Sequence, residues 1–388
     1  MWMDVGAGEQ NLINQFGIAK CNSQEDIKMV RKDESGGKGA PRDDVLFIGI
    51  SLGTSRTAIS GSNGVRKVIS SLVGWPKDVV ARKFLKKDIV FGDDVLKNRL
   101  ALDYVRPLSR GVIVGSDKGA DKEIAQEDID KASEGVKELI RHAIDLGEPK
   151  GYPKIFGVVG APSRASKENK HAILDAANDI LDAVMVVPEP FALAYGTGKL
   201  DISLVIDIGA GTADLCRIYG SLPTEEDQRV TYKAGDHIDK MLMELVVERY
   251  PDAQVTIDMA RRWKEDHGFV GETKKKVTVE FPIKGVPQKC EITEEMREAC
   301  ESIVPDMAAA IKDLISMFHP EFQAELRNNI ILGGGSSQIA DLDKAIEEEL
   351  EAVGGGKVYL VDDPVYAGAD GSLKLAQDMP NEYWNQLL

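Results

Sequence analysis

From residue 45 onward the apolar positions alternate between a strand-like and a helical period, and the order of elements they predict occurs twice. Val45 onward reads as a strand that reaches a polar shoulder at Ser51. A Gly53-Thr54 turn and a second strand through Ser60 follow. Ser62-Asn-Gly64 carries Asn-Gly, the strongest two-residue hairpin signal, and leads into a third strand, Val65 to Ile69. A helix is predicted over 127–146, where Ile129, Ala132, Val136, Leu139, Ile140, Ala143 and Ile144 recur at a 3.6 period. A strand from Ile155 to Gly160, a helix over 167–182 and a strand from Val184 to Val187 then form a βαβ unit, which implies parallel strands and a right-handed crossover. Pro188-Glu-Pro190 starts a short helix, Phe191 to Gly196, because proline suits a first turn.

The second round opens with a buried strand, Ile202 to Ile206, running into Asp207. The Gly209-Ala-Gly211-Thr212 turn returns the chain through Ala213 to Tyr219, and Arg229 to Lys233 extends the hairpin. Helices are predicted over 236–250, around 261–265 and over 302–318, with strands near 277–283. Strand Asn329 to Leu332, the Gly333-Gly-Gly-Ser336 turn, a helix through Leu350, strand Val358 to Val361 and a helix from Ala367 close the chain. The last helix is expected to return to the first domain. Residues 73–109 and 252–300 interrupt the two rounds and read as insertions. The expected architecture is two α/β domains of like topology with a cleft between them.

The two hairpins are the candidate chemistry. Setting Ser51 on Asp207 places Gly53 on Gly209, an offset of 156 residues (207 − 51). Gly209 and Gly211 are expected to take positive φ and to aim backbone N–H groups at a bulky anion. Asp207, at a strand's carboxyl end, can hold a cation beside that anion. Two such hairpins a domain apart can grip one nucleotide from both sides. Thr54 and Thr212 can add hydroxyl hydrogen bonds, or be strand threonines satisfied by nearby carbonyls. Glu189 sits at a strand end, where loop residues face the cleft of an open α/β sheet, and can orient an attacking water. It can equally be a helix N-terminal acid favoured by the dipole. Gly333 to Ser336 offers a flat backbone surface for an adenine. Lys264 and Glu265 can reach a ribose or form an exposed ion pair. The basic run Arg82 to Lys87 reads as a solvated face.

Composition narrows the partners. A chain of 388 residues has room for two domains, and 43% hydrophobic with 29% charged residues is the balance of a soluble globular protein. A net charge of −16 argues against nucleic acid or an anionic membrane as the main partner. Cys21, Cys216, Cys290 and Cys300 have no metal-ligand spacing and read as reduced thiols. No apolar run approaches the ~20 residues that span a bilayer, and the amino terminus lacks a signal-peptide pattern, so a cytoplasmic location is expected. Residues 1–43 lack a sustained period and are expected to be a flexible tail, with Met29 an alternative start.

These elements in this order resemble the actin/Hsp70/sugar-kinase superfamily. Gly49-Ile-Ser-Leu-Gly-Thr54 is similar to its first phosphate motif, Asp207-Ile-Gly-Ala-Gly-Thr212 to its second, and Gly333-Gly-Gly-Ser336 to its adenosine motif. Arg106-Pro-Leu-Ser-Arg-Gly-Val-Ile113, Val187-Pro-Glu-Pro-Phe191, Lys233-Ala-Gly-Asp236 and Glu382-Tyr-Trp384 resemble the bacterial actins of the magnetosome-filament (MamK) type, over about residues 45–384. The resemblance implies an actin-like, duplicated ribonuclease-H-like α/β fold with a nucleotide cleft. Domain I would be 44–195 with insert 73–109, completed by 365–388. Domain II would be 196–364 with an insert at about 234–300. It implies ATP and Mg²⁺ as cofactors, Glu189 and Asp207 in hydrolysis, and Asp207 on the metal with Ser51 a weak second partner through water. Gly53, Thr54, Ser55, Gly209, Gly211 and Thr212 would face the phosphates. Lys264, Glu265 and Gly333, Gly334, Gly335, Ser336 would line the adenosine pocket, with Asp236 among the cofactor contacts.

The implied partners are further copies in a head-to-tail polymer, alone or mixed with a related actin homologue, and magnetosome-associated proteins. The departure is Ser51, where the family carries an aspartate, and the loss of that charge bears on turnover. Three functions compete: a nucleotide-driven filament, a scaffold that binds ATP without turnover, and a small-molecule kinase, for which only short insertions could build an acceptor pocket. A chaperone of the Hsp70 kind would need a further substrate domain.

Overall fold

The structure, a computed structural model, describes residues 44–115, 124–163, 165–178 and 180–388. The expected N-terminal tail, the start at Met29 and Cys21 lie outside the described residues. Two five-stranded sheets carry the fold. The first holds β1 (Val45–Leu52), β2 (Arg56–Gly61), β3 (Arg66–Ser70), β4 (Lys154–Ala161) and β5 (Ala183–Pro188). The second holds β6 (Ser203–Ile208), β7 (Ala213–Ile218), β8 (Gln228–Thr231), β9 (Ile330–Gly333) and β10 (Val358–Leu360). Their spatial orders are β5-β4-β1-β2-β3 and β10-β9-β6-β7-β8, one topology used twice.

The repeat holds at the level of single residues. Ser51 on β1 faces Ala58 on β2 and Gly160 on β4. Asp207 on β6 faces Asp214 on β7 and Gly333 on β9. In each sheet the hairpin is antiparallel and the neighbour on its other side is parallel, so both polar shoulders end a central strand at its carboxyl edge. That edge is where open α/β sheets bind ligands.

Six helices set the frame of the site: α1 (Gln126–Leu146), α2 (Glu189–Thr197), α3 (Gly235–Arg249), α4 (Ile257–His267), α5 (Ala367–Asp378) and α6 (Asn381–Leu387). α1 buries Ala132, Val136, Leu139, Ile140, Ala143 and Ile144 against the first sheet, as its period predicts, while Ile129 is half-buried. α2 has no polar face along Pro190 to Ala194, and these residues are all buried. A helix apolar all round is one enclosed all round. Phe191 to Ala194 share one apolar cluster with Phe156 and Val158 of the first sheet and Val205, Cys216 and Ile331 of the second. α2 is therefore wedged between the sheets, and its first residue, Glu189, is held at the seam.

α5 returns across β1 and α2 at backbone contact. A Cβ at Gly49 would overlap the Ala369 carbonyl, and one at Gly371 would overlap the Ala192 carbonyl. Only glycine permits that approach. α6 locks the return: Trp384 stacks on Phe156 at 4.9 Å and donates its indole N–H to the Ala376 carbonyl at 3.2 Å.

The interrupting segments differ from one another. Within residues 73–109, Val73–Pro76, Val90–Phe91 and Leu102–Val105 form a separate three-stranded sheet. Val90, Val95 and Leu102 make its small core with Leu72. Residues 252–300 contain α4, a hairpin of Thr278–Ile283 with Val286–Glu291, and a helix, Thr293–Glu301. The return strand and that last helix are absent from the sequence prediction. Their apolar side chains do not form a core of their own: Ala260, Trp263, Phe281 and Met296 join Leu204, Ile206 and Leu332 in one cluster. Cys216, Cys290 and Cys300 are free, buried thiols. Among the described residues no helix is long and apolar enough to cross a membrane.

Candidate functional site

The cleft between the sheets is a cavity of about 340 Å³ into which both hairpins project. Ser51, Gly53, Thr54, Ser55, Glu189, Asp207, Gly209, Gly211, Thr212, Lys264, Glu265, Gly334, Gly335 and Ser336 all line it. The volume lies within the ~300–1,000 Å³ usual for small-molecule sites.

Each hairpin closes with the same bond. Gly53 N–H donates to the Arg56 carbonyl at 3.1 Å, and Gly209 N–H to the Thr212 carbonyl at 2.9 Å. The expectation of positive φ at Gly209 and Gly211 is corrected here. Neither takes it, whereas Gly334 does, at +81°. Glycine is required at 211 for closeness instead. A Cβ there would stand 2.5 Å from Thr54 Oγ1 and 2.8 Å from Arg110 Cα, so the two turns touch across the cleft floor. Both threonine hydroxyls have protein partners. Thr54 Oγ1 accepts from Gly111 N–H at 2.9 Å, and the Thr212 hydroxyl bonds Asp214.

Acidic side chains gather at this floor. Ser51 Oγ donates to Glu189 Oε1 at 3.0 Å, joining the first hairpin to the start of α2. Burial pushes the Asp207 carboxyl up to about 7, with the charge of Asp214 adding to it. Burial likewise pushes Asp214 up to about 6, against hydrogen bonds from Thr212 and from the Ser163 N–H, the latter at 2.7 Å. Glu189 is raised well above the usual carboxylate range, by burial first and then by Asp207 and Asp214, while the Ser51 hydrogen bond draws it partly back. A floor that holds its acids against desolvation and mutual repulsion is one that a cation would relieve.

The third loop packs onto the second hairpin. Ser336 Oγ donates to the Gly209 carbonyl at 2.9 Å, and a Cβ on Gly334 would overlap Asp207 Oδ1. Lys264 is almost fully buried: its Nζ donates to the Gly235 carbonyl at 2.9 Å and pairs with Asp239 at 2.6 Å. Glu265 pairs with Arg56 at 2.9 Å across the mouth. Two expected contacts stand away from the lining. Gly333 ends β9, where a side chain would overlap Leu193. Asp236 is held by Arg106 at 2.9 and 3.0 Å and by Arg261 at 3.3 Å. Sequence reasoning missed Arg56 and Arg261, which line the cleft, and Asp214 beneath it. Asp214 had a signal: it lies as far beyond Ala58 as Asp207 lies beyond Ser51.

The MreB/Mbl protein family matches residues 46–383 of this chain. This chain belongs to the MreB/Mbl family. Its relatives include actin-like MamK proteins. The actin-like protein MamK of Magnetospirillum gryphiswaldense is 38% identical over 342 residues, covering 88% of this chain and 92% of that protein. A solved MamK double helical filament aligns with a TM-score of 0.81 at 37% identity, covering 87% of this chain and all of that one. A non-polymerising MamK mutant bound to AMPPNP aligns at 0.64 and 37%, covering 86% and 99%. The MreB/Mbl membership accounts for the doubled sheet.

The floor of this MreB/Mbl cleft suits a magnesium nucleotide. Among the described residues no three acidic, His or Cys side chains converge as a complete metal cage. Mg²⁺ does not ask for one, since it keeps most of its waters and takes one or two carboxylates with substrate phosphates. Asp207, with Asp214 behind it and Ser51 opposite, is a donor set of that kind.

Proposed function

We propose that this chain binds ATP with Mg²⁺ in the cleft, hydrolyses it slowly, and assembles head-to-tail into cytoplasmic filaments that organise magnetosomes. The observation that carries the proposal is the meeting of both hairpins and Glu189 on one acidic floor. The relatives' filament and AMPPNP-bound structures support assembly and nucleotide binding.

Phosphoryl transfer asks a protein for positioning and charge neutralisation more than for covalent chemistry. The backbone of the two turns would hold the phosphates, and Asp207 would hold the metal. Mg²⁺ when bound neutralises charge on the terminal phosphates. Glu189, raised above the usual carboxylate range and placed at the start of α2, orients a water and receives its proton. Ser51 fixes the Glu189 carboxylate through its hydroxyl. A head-to-tail contact that does not close into a ring yields an open polymer.

The test is sedimentation at micromolar concentration with and without ATP and Mg²⁺, with phosphate release followed on the same sample. Pelleting that requires ATP, with slow phosphate release, is expected. A protein that stays monomeric with ATP sinks the proposal. A scaffold without turnover is the second reading, and Ser51 in place of a second metal carboxylate favours it. Pelleting without phosphate release would decide for it.

A further inference from the structure

The Asp236 carboxylate is taken up by arginines, and those partners suggest another task. Arg106 and Arg99 come from the end of the 73–109 segment of the first half. Asp236 on α3, with Asp258 and Arg261 on α4, comes from the second half. They form one ladder of alternating charge. Arg99 pairs with Asp258 at 3.4 Å, Asp258 with Arg261 at 3.4 Å, Arg261 with Asp236 at 3.3 Å, and Asp236 with Arg106 at 2.9 Å. Arg261 also pairs with Asp239 at 3.0 Å, which anchors the ladder in α3. A separate pair, Arg56 with Glu265, spans the mouth of the same cleft.

We propose that this ladder is a clasp that holds the two halves closed over the nucleotide and sets how fast it leaves. The proposal deepens the ATP-binding reading and rests on it for the identity of the ligand. Three features carry it. Every rung from Arg99 and Arg106 crosses between halves, so opening the cleft must break them. The central rung, Arg261, is only 15% exposed and faces three carboxylates, which a lone surface pair does not. Arg106 Nη1 reaches both Asp236 carboxylate oxygens, at 3.0 and 2.9 Å, a charge-assisted contact that bridges the halves. The outer rung, with Arg99 at 46% exposure, is the one salt should weaken first.

The experiment has two arms. In the first, a fluorescent ATP analogue is chased from the full-length protein and from Arg106→Gln, Arg99→Gln and the double variant. Release should quicken about 2–5-fold per pair lost. Wild type should approach the variants as ionic strength rises from ~0.1 to ~1 M, where the screening length falls from ~10 to ~3 Å. Lys312→Gln removes the 3.0 Å pair with Glu349, whose partners both lie in the second half, and should leave release unchanged. In the second arm, spin labels at exposed Val80 and Val286 report the separation of the halves without nucleotide. Arg106→Gln should widen it. Unchanged release, or faster release at unchanged separation, overturns the clasp. If the wild type never binds the analogue, the ATP reading falls and the label separation still decides the clasp.

Discussion

The two hairpins of this protein share a register and a closing bond, and they differ in where they keep their charge. On β1 and β2 the facing shoulder residues are Ser51 and Ala58; on β6 and β7 they are Asp207 and Asp214. The first hairpin carries no carboxylate at either position and borrows one from α2, through the 3.0 Å bond of Ser51 to Glu189. The second carries two and pushes both up toward neutrality by burial. One register thus presents different chemistry at the same position: the acidic side suits a cation, and the neutral side holds a single acid in place. Strand pairing constrains the backbone register and not which side chain stands at the shoulder, so the two hairpins can differ there.

The comparison breaks most visibly at Glu189. Glu189→Gln keeps an acceptor for Ser51 and removes the base, so phosphate release should fall about 10²–10⁴-fold while ATP-dependent pelleting persists. Release within tenfold of wild type would take Glu189 out of the chemistry. Next comes Ser51→Asp, which makes the first hairpin resemble the second. Gaining a metal partner should raise turnover or lower the Mg²⁺ requirement roughly 10–100-fold. The same change sets a carboxylate beside Glu189, so without Mg²⁺ the melting temperature should drop. A variant with wild-type Mg²⁺ dependence, rate and melting shows that Ser51 is not where the asymmetry acts. The smallest effect lies inside the second turn. Gly211→Ala meets Thr54 and Arg110 and should cost about 1–3 kcal/mol in denaturant unfolding. Gly209→Ala meets only the Thr212 carbonyl, at 3.3 Å, and should cost less than ~1 kcal/mol. Equal losses at the two glycines would mean that contact between the turns is not what position 211 protects.

The chain's own pattern determined a good deal. Strand runs, the 3.6 period of α1, the Asn-Gly turn and the recurrence at 156 residues follow from local preference, and each of those elements forms where the pattern puts it. Ser51, Asp207 and Glu189 were legible as candidates because they sit at strand ends beside glycine or proline, which punctuate any chain. Tertiary structure alone decided the rest. That residues 252–300 join the second core, that α2 is enclosed by both sheets, and that Gly211 abuts Thr54 depend on which distant surfaces meet. Asp236 makes the point most plainly. The resemblance put it among the cofactor contacts, yet two arginines, one of them 130 residues away, take its carboxylate. A charged side chain takes whichever partner the fold brings within hydrogen-bond reach, and no local pattern encodes that partner.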